Sequence, residues 1–355
     1  MSADASAAGG APLFEAPEDL EAINAIYRER RWGDGLPIVP PTVERVERML
    51  EHTTRPRNDI VARIAPGYGA ATVERIAVNA VLAGCAPGFL PVVIAAVEAV
   101  ADPAFNLQGI QATTNPVAVW LIVNGPAAAR LEVNATYNCL GQGAWANATI
   151  GRALRLCLQN IGGALPGDMD RATHGQPGKY TFCCAENEAQ NPWAPLHVER
   201  GYAREASTVT VVGAEGTMNM NTHCKDAADL LRVITETMMH PASNEYCHGG
   251  EPWVVLAPEH AEILHAAGYA KSDVKARLWA LSRMPASRMS AKDLLRVHAS
   301  RTAELGEIRP DTLLPIAPRP EDIGLLVAGG PGTHSVYVPS FGNTRAVTRE
   351  IRYAH

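Results

Sequence analysis

The sequence of 355 residues has little charge of either sign and few aromatic side chains. Charged residues make up 19% of it, aromatic residues make up 6%, and the formal net charge is −6. Lysines and arginines form no cluster, so the chain lacks the basic surface that nucleic-acid binding requires. Most of its hydrophobic residues, 47% of the chain, are therefore Ala, Val, Leu and Ile, which suits helices packed on a largely parallel sheet.

The sequence also lacks a long uninterrupted apolar run. Its longest apolar stretch, residues 80–101, is broken by two glycines and two prolines, which argues against a membrane span. Residues 1–18 contain neither the basic nor the apolar segment of a secretory signal. Seven cysteines are an odd number in a chain too large to be a disulfide scaffold. We therefore expect a cytoplasmic protein whose thiols are reduced.

Apolar periodicity predicts helices that alternate with short strands. The strongest helical pattern covers residues 148–161, with Ile150, Leu154 and Leu158 on one face and Arg155 on the other. The alternation indicates βαβ units, and thus an α/β fold with mixed, mostly parallel sheets covered by helices.

Domain boundaries are less distinct than the alternation itself. We expect a disordered arm over residues 1–16, followed by two α/β halves over 17–205 and 206–355. No linker marks the boundary near residue 205, so a single intertwined domain is the alternative.

Two glycine-rich loops follow predicted strands. One is Gly213–Gly216, and the other contains Gly329, Gly330 and Gly332. Glycines at the carboxyl end of a strand let backbone N–H groups converge on an anion, although ordinary tight turns have the same composition. Neither loop matches the dinucleotide fingerprint or the Walker pattern, so NAD and ATP are not supported.

Candidate acid–base residues follow other strands. His260 begins a helix directly after strand 253–256, and Lys271 begins the next helix. His334 follows the second glycine loop, and Glu186 ends a strand over 180–185. If these strands run parallel in one sheet, the two histidines and Glu186 meet at its carboxyl edge, with or without a divalent metal between them. Capping or surface roles are the alternatives.

A polar segment precedes the buried strand 117–123. We interpret Thr113, Thr114 and Asn115, together with Asn124 after the strand, as candidates for substrate recognition. Hydrogen bonding within the loop is the alternative interpretation.

Cysteine and histidine occur side by side at two places. His223 and Cys224 form one pair, and Cys247 and His248 form the other. Thiolate and imidazole are ligands for zinc, iron or copper, but the spacing is not that of a known metal motif. The vicinal Cys183 and Cys184 are a candidate redox pair, or two packing residues that face opposite sides of a strand.

Several strings together resemble a bacterial family associated with proteins that bear the UGSC motif (selenocysteine or cysteine, Gly, Ser, Cys). The resemblance covers residues 17–351. The strings are Gly35-Leu-Pro-Ile-Val-Pro-Pro-Thr42, Ala83-Gly-Cys-Ala-Pro-Gly-Phe-Leu-Pro91, Thr113-Thr-Asn-Pro116, Ile122-Val-Asn-Gly-Pro126, Ala146-Asn-Ala-Thr-Ile-Gly-Arg-Ala153, Ala185-Glu-Asn-Glu188 with Pro192-Trp193, Pro258-Glu-His-Ala261 and Ala328-Gly-Gly-Pro-Gly-Thr-His-Ser335.

The UGSC proteins are similar to selenoprotein B subunits of glycine and betaine reductases, which break carbon–heteroatom bonds reductively. This chain has no Cys-Gly-Ser-Cys string, so the resemblance implies a substrate-binding or companion subunit. We expect an enzyme subunit for a small polar or carboxylate-bearing molecule, with a thiol- or selenol-bearing partner chain or a second copy of itself. The alternatives are a metal-assisted lyase or hydratase that acts alone and a non-catalytic scaffold subunit.

Overall fold

The computed structural model describes residues 11–354 as a mixed α/β fold. The α-helices are α1 (Leu20–Glu29), α2 (Val43–Leu50), α3 (Val73–Ala83), α4 (Leu90–Val100), α5 (Leu107–Ala112), α6 (Pro126–Arg130), α7 (Trp145–Asn160), α8 (Leu196–Glu199), α9 (Ala227–Met238), α10 (Asn244–His248), α11 (Pro258–Ala266), α12 (Lys271–Leu281) and α13 (Ala291–Leu305). The strands are β1 (Ile60–Ile64), β2 (Gly69–Thr72), β3 (Ala118–Asn124), β4 (Cys183–Ala185), β5 (Thr208–Ala214), β6 (Met218–Asn221), β7 (Trp253–Leu256), β8 (Arg283–Pro285), β9 (Leu313–Pro315), β10 (Gly324–Val327), β11 (His334–Val338) and β12 (Val347–Glu350).

Local chemistry accounts for both ends of α3. At the start of α3, the Thr72 hydroxyl accepts a hydrogen bond from the Arg75 backbone N–H at 3.2 Å. At its end, Gly84 adopts a left-handed conformation with φ of 85°, which glycine does without steric cost. The next apolar run then begins a new helix, α4, at Leu90.

Two four-stranded sheets form the centre of the molecule. The first sheet has the order β12-β5-β3-β4, and the second has the order β10-β7-β11-β6. Their inner faces pack on each other through an inter-sheet core that includes Trp120, Cys184 and Trp253. The Trp120 and Trp253 rings meet edge to face, with centroids 5.8 Å apart. Helices cover both outer faces, so the fold has four layers in the order helix, sheet, sheet, helix.

The two sheets repeat one arrangement, with their last strands exchanged. In each sheet a parallel pair, β3–β4 or β7–β10, is followed by an antiparallel strand, β5 or β11. The chain then crosses over, so that β6 joins the second sheet and β12 joins the first. At the crossing the Glu215 N–H donates to Pro339 O at 2.8 Å, and the Phe341 N–H donates to Gly213 O at 2.9 Å. These two hydrogen bonds join the chain just after β5 to the chain just after β11, where the last strands are exchanged.

Antiparallel pairing is commoner than the sequence suggests. Among residues 11–354, the parallel strand pairs are β3–β4 and β7–β10, and the other six pairs are antiparallel. Parallel neighbours require a long crossover, which helices supply between β3 and β4 and between β7 and β10. The mixed α/β class is confirmed, and parallel strands form a minority of it.

Strand exchange ties the N-terminal and C-terminal parts together. A division at residue 205 would separate β5 from β3, its partner in the first sheet. The first sheet would be cut in two, with β3 and β4 before the boundary and β5 and β12 after it. Gly213, predicted to start a loop, lies within β5, because the ladder with β3 continues to Ala214.

The predicted arm lies partly outside the described residues, which begin at residue 11. The described part is in contact with the body of the protein. The Ala11 N–H donates to a Glu74 carboxylate oxygen at 2.7 Å, and the Phe14 ring lies 5.7 Å from that of Trp32. These contacts place Ala11 and Phe14 against the body of the protein, and disorder of the arm stays a prediction.

Helix α7 confirms the predicted apolar stripe, since Ile150, Leu154 and Leu158 are all buried. Its polar face is also largely covered, which the periodicity did not indicate. The Arg155 guanidinium donates to Ala164 O at 2.9 Å and to Gln111 Oε1 at 3.1 Å. Polar partners thus allow α7 to lie inside the molecule.

Within residues 11–354, no single helix is both long and apolar enough to cross a membrane. The helical stretches Pro87–Val100 and Pro103–Ala112, bent by 73° at the break between them, meet the length and composition requirements together.

Candidate functional site

Side-chain alternation brings two polar residues to the mouth of the inter-sheet core. On β3, Trp120 and Ile122 face the second sheet, and Asn124 continues that face at the end of the strand. On the neighbouring parallel strand, Cys184 faces the same way and is followed on that face by Glu186. Both polar residues therefore lie where β3 and β4 end, the usual position of ligand sites in open α/β sheets.

The Glu186 carboxyl group is buried and surrounded by hydrogen-bond donors. Glu186 is only 3% exposed. Oε2 accepts from Asn124 Nδ2 at 2.6 Å and from the Leu196 backbone N–H at 2.7 Å. Oε1 accepts from Asn191 Nδ2 at 2.8 Å. Residues 191–196 thus cover this carboxyl group from the side opposite to β3.

Burial raises the pKa of Glu186 above its usual value. The positive charge of Lys271 and the hydrogen bonds from Leu196 and Asn124 act in the opposite direction, and they offset only part of the effect. The carboxyl group therefore retains its proton at a pH where an exposed glutamate has lost it. A carboxyl group of this kind is suited to donate a proton to a reacting group.

A second carboxylate, Glu188, extends the cluster. Its Oε1 accepts from the Gly125 backbone N–H at 2.7 Å and from Asn124 Nδ2 at 3.0 Å. His197 Nδ1 lies 3.7 Å from the same oxygen and has no hydrogen-bond partner, although the His197 side chain is fully buried. Asn124 Oδ1 is buried without a partner as well. Asn124 and His197 therefore each leave a buried polar atom without a partner beside Glu188, and both atoms are available to a ligand.

Lys271 supplies the positive charge beside this cluster. Its ammonium group donates to Ala194 O at 3.2 Å and pairs with Glu199 at 2.7 Å. Lys275 pairs with the same carboxylate. The sequence-predicted residues Glu186, Asn124 and Lys271 therefore lie together, as members of what we call the Glu186 cluster: Asn124, Glu186, Glu188, Asn191, His197 and Lys271.

His260 and His334 meet at a different place. His334 begins β11, which runs antiparallel to β7, so it lies beside the end of β7 where His260 follows. His260 Nδ1 and the Ser335 hydroxyl are 2.7 Å apart, and burial lowers the pKa of His260. The expectation that Glu186 shares one sheet with them is wrong, because β4 belongs to the first sheet and β7 to the second.

The glycine loop after β10 links the two sheets. The Asn187 N–H donates to Val327 O at 2.8 Å, so β4 and β10 end at the same end of the sandwich. The Gly329 N–H donates to Ala135 O at 2.8 Å, and Gly330 lies against the Tyr137 ring without room for a side chain. A φ of 107° at Gly329 and the Tyr137 ring at Gly330 account for these two glycines, and anion binding by the loop, with Gly332, stays a prediction.

Thr113, Thr114 and Asn115 lie at the opposite end of the first sheet, before β3. Thr113 Oγ1 accepts from Asn115 Nδ2 at 2.9 Å, and Thr114 O accepts from the Thr173 N–H at 2.9 Å. The alternative interpretation, hydrogen bonding within loops, accounts for these contacts. The segment does not join the Glu186 cluster.

Two further carboxyl groups near this segment, Glu215 and the fully buried Glu245, were not found from the sequence. Burial and the neighbouring Glu245 raise the pKa of Glu215 to about 8. Glu245 is fully buried and accepts from the Tyr337 hydroxyl at 2.7 Å. Asn244 Nδ2 donates to Glu215 Oε1 at 2.6 Å. No local pattern could reveal this pair, because β11 and α10 approach it from distant parts of the chain.

The cysteine–histidine pairs have separate surroundings. His223 Nδ1 lies 2.7 Å from the Thr333 hydroxyl, and Cys224 accepts from the Thr222 hydroxyl at 2.8 Å. Cys247 is buried, and His248 Nδ1 lies 2.9 Å from the Ser300 hydroxyl. In the described part of the chain, no three His, Cys, Asp or Glu side chains are gathered closely enough to hold a metal ion.

A cavity of about 340 Å³ lies at the other edge of the first sheet, next to β12 and α4. Its polar walls come from Arg55, Glu98, Glu350 and Arg352, and its apolar wall includes Ile94. The Glu186 cluster follows β4, the strand at the opposite edge of that sheet, so the cavity and the cluster are separate features.

Comparison of the chain with known protein families, with curated proteins and with solved structures found no match. The resemblance to the UGSC-associated family therefore stays a prediction, and the functional argument depends on the geometry of the chain itself.

Proposed function

We propose that this chain is a cytoplasmic enzyme subunit that binds a small polar or carboxylate-bearing molecule at the Glu186 cluster. The reaction is the cleavage or formation of a carbon–heteroatom bond. One observation carries the proposal. At the ends of the parallel strands β3 and β4, Glu186 is buried with a raised pKa near the positive charge of Lys271. Asn124 and His197 each have a buried polar atom without a partner in the same cluster. Perturbed carboxyl groups in such a position are characteristic of acid–base sites.

Each residue has a chemical role in the proposal. Glu186 donates its proton to the heteroatom that leaves, and its raised pKa favours the protonated form that this role requires. Lys271 attracts the substrate carboxylate, and Asn124 orients both the substrate and Glu186. Asn191 and Leu196 cover the carboxyl group, so the segment 187–196 must move to admit a substrate.

The reductive version of the reaction requires two thiols, or a selenol and a thiol, from a partner chain. In it, the bond from carbon to the heteroatom breaks, the heteroatom leaves with a proton, and a new carbon–hydrogen bond forms. Two thiol groups become one disulfide and supply the two electrons. A non-reductive elimination at the same cluster would need neither partner nor thiol.

The test is an NMR assay with a defined panel of small carboxylic acids that carry an amino, hydroxyl, thiol or halogen substituent. The wild-type chain is incubated with each compound in D₂O, with and without dithiothreitol in place of the thiol partner. We expect loss of a substituent, or incorporation of deuterium, for at least one compound. Glu186→Gln should lower that rate at least about 100-fold, the usual contribution of a general acid, and still bind the compound.

The matched control is Glu262→Gln, which changes an exposed glutamate on α11 and should react at the wild-type rate. Dependence of turnover on dithiothreitol would indicate the reductive version. If Glu186→Gln reacts as fast as the wild type, or no compound in the panel is converted, the proposal is wrong and a scaffold role becomes the better explanation.

A further inference from the structure

Two cysteines that are 45 positions apart by their numbering, Cys139 and Cys184, lie together in the inter-sheet core. Cys184 is on β4 and is fully buried, and Cys139 comes from the loop between α6 and α7 and is 6% exposed. Both thiols are free. The vicinal pair in the sequence, Cys183 and Cys184, is not the pair in contact, since Cys183 faces the N-terminal helices instead.

The loop that carries Cys139 is fastened to the protein on both sides. Asn147 on α7 donates from Nδ2 to Cys139 O and to Asn134 O, each at 3.0 Å. The Asn134 N–H donates back to Asn147 Oδ1 at 2.7 Å, and Asn134 O accepts from the Ala185 N–H at 3.1 Å. These bonds join the loop to α7 through Asn147 and to β4 through Ala185, so both elements fix the position of Cys139 near Cys184.

The surroundings of Cys139 favour its thiolate. A hydrogen bond from the Cys184 thiol lowers the pKa of Cys139, and the backbone N–H groups of Cys139, Leu140 and Gly329 act in the same direction, against the effect of burial. The pKa of Cys184 is raised by the same hydrogen bond and by burial, so the shared proton resides on Cys184. A thiolate is the nucleophilic form of cysteine, and a neighbouring thiol can resolve its oxidised product.

In three other buried cysteines the surroundings raise the thiol pKa instead of lowering it. Burial raises the pKa of Cys85 to about 12 and raises the pKa of Cys157 and Cys183 still further above the usual range. Such thiols are inert packing residues.

We propose that Cys139 and Cys184 form a redox-active dithiol that hydrogen peroxide oxidises to an intramolecular disulfide. The Cys139 thiolate attacks the peroxide oxygen, the O–O bond breaks, and hydroxide leaves and takes up a proton. The resulting Cys139 sulfenic acid is attacked by the Cys184 sulfur, which loses its proton, and water leaves as the S–S bond forms. Two thiols have then lost two electrons to one peroxide, which becomes two water molecules.

The experiment counts thiols in the full-length chain. Reduced native protein is treated with an equimolar amount of hydrogen peroxide, quenched with catalase, unfolded and labelled with a maleimide. Untreated protein should have seven free thiols, and treated protein should have five. Peptide mapping should find Cys139 joined to Cys184 within one chain, and dithiothreitol should restore the original count. This readout does not involve turnover, so it is independent of the proposed function.

Three variants assign the roles. Cys139→Ser should keep all its remaining thiols under the same treatment. Cys184→Ala should accumulate a sulfenic acid at Cys139, which dimedone traps. The control Cys183→Ala, which changes the neighbour on the other face of β4, should still lose two thiols.

Three results would overturn the proposal: a wild-type chain that keeps seven thiols, a disulfide between another pair, or a link between two chains. Because the wild-type peptide map decides between these outcomes, the test remains valid even if a variant fails to fold.

Discussion

Asn124 Nδ2 lies 2.6 Å from Glu186 Oε2, although 62 positions separate the two residues in the sequence. The contact exists because Asn124 ends β3 and Glu186 follows β4, and these strands are parallel neighbours. The crossover that contains α7 brings their carboxyl ends together. A polar pair at this position is the feature from which the acid–base proposal starts.

The first prediction concerns the charge beside Glu186. Lys271 is the largest influence that lowers the pKa of Glu186, so Lys271→Met should raise that pKa further. Carbon-13 NMR of the labelled Glu186 carboxyl group, followed as a function of pH, measures the change. Lys225→Met is the control, because that lysine is exposed and pairs with Glu259. An unchanged or lower pKa of Glu186 in Lys271→Met would contradict the assigned electrostatics.

The second prediction concerns stability as a function of pH. Glu215 has a pKa of about 8 in the folded protein, well above that of an unfolded glutamate, so the folded state binds the proton more tightly. Its contribution to stability is therefore present at low pH and is lost as the pH rises toward 8. The slope for one group is at most about 1.4 kcal/mol per pH unit.

Urea unfolding between pH 5 and pH 9 measures this effect. Glu215→Gln removes the titrating group, so its free energy of unfolding should fall less with rising pH than that of the wild type. Glu321→Gln, at an exposed position, should follow the wild-type curve. Parallel curves for Glu215→Gln and the wild type would show that Glu215 does not titrate in this range.

The third prediction concerns the apolar stripe of α7. Leu154 is 1% exposed and packs in the N-terminal core, so Leu154→Asp buries an unpaired charge and removes apolar contacts. The expected loss is about 3–5 kcal/mol of unfolding free energy, or loss of soluble expression. The matched control is Leu295→Asp on α13, where the leucine is 68% exposed and the cost should be below about 0.5 kcal/mol.

Thermal and urea unfolding compare the two variants directly. If Leu154→Asp melts within two degrees of the wild type, the stripe does not contribute to the core as the burial indicates.

Helix and strand positions were the part of the fold that the sequence allowed us to predict. The strand over Trp253–Leu256 agrees with its predicted bounds at both ends, and the helix predicted over residues 148–161 is α7, Trp145–Asn160. Such elements depend on periodicity and on capping residues such as Thr72, which act within one or two turns. The apolar stripe through Leu154 was predictable for the same reason.

Only the tertiary structure showed which strands pair with each other and which residues belong to the site. Nothing local shows that β12 joins β5 or that β6 joins β11, because pairing depends on groups far apart in the chain. The same holds for Cys139 beside Cys184 and for the separation of Glu186 from His260. The sequence by itself determined which residues face a core, since side-chain direction follows local periodicity. Only the tertiary structure decided which core each faces, because that depends on how the two sheets exchange strands and pack.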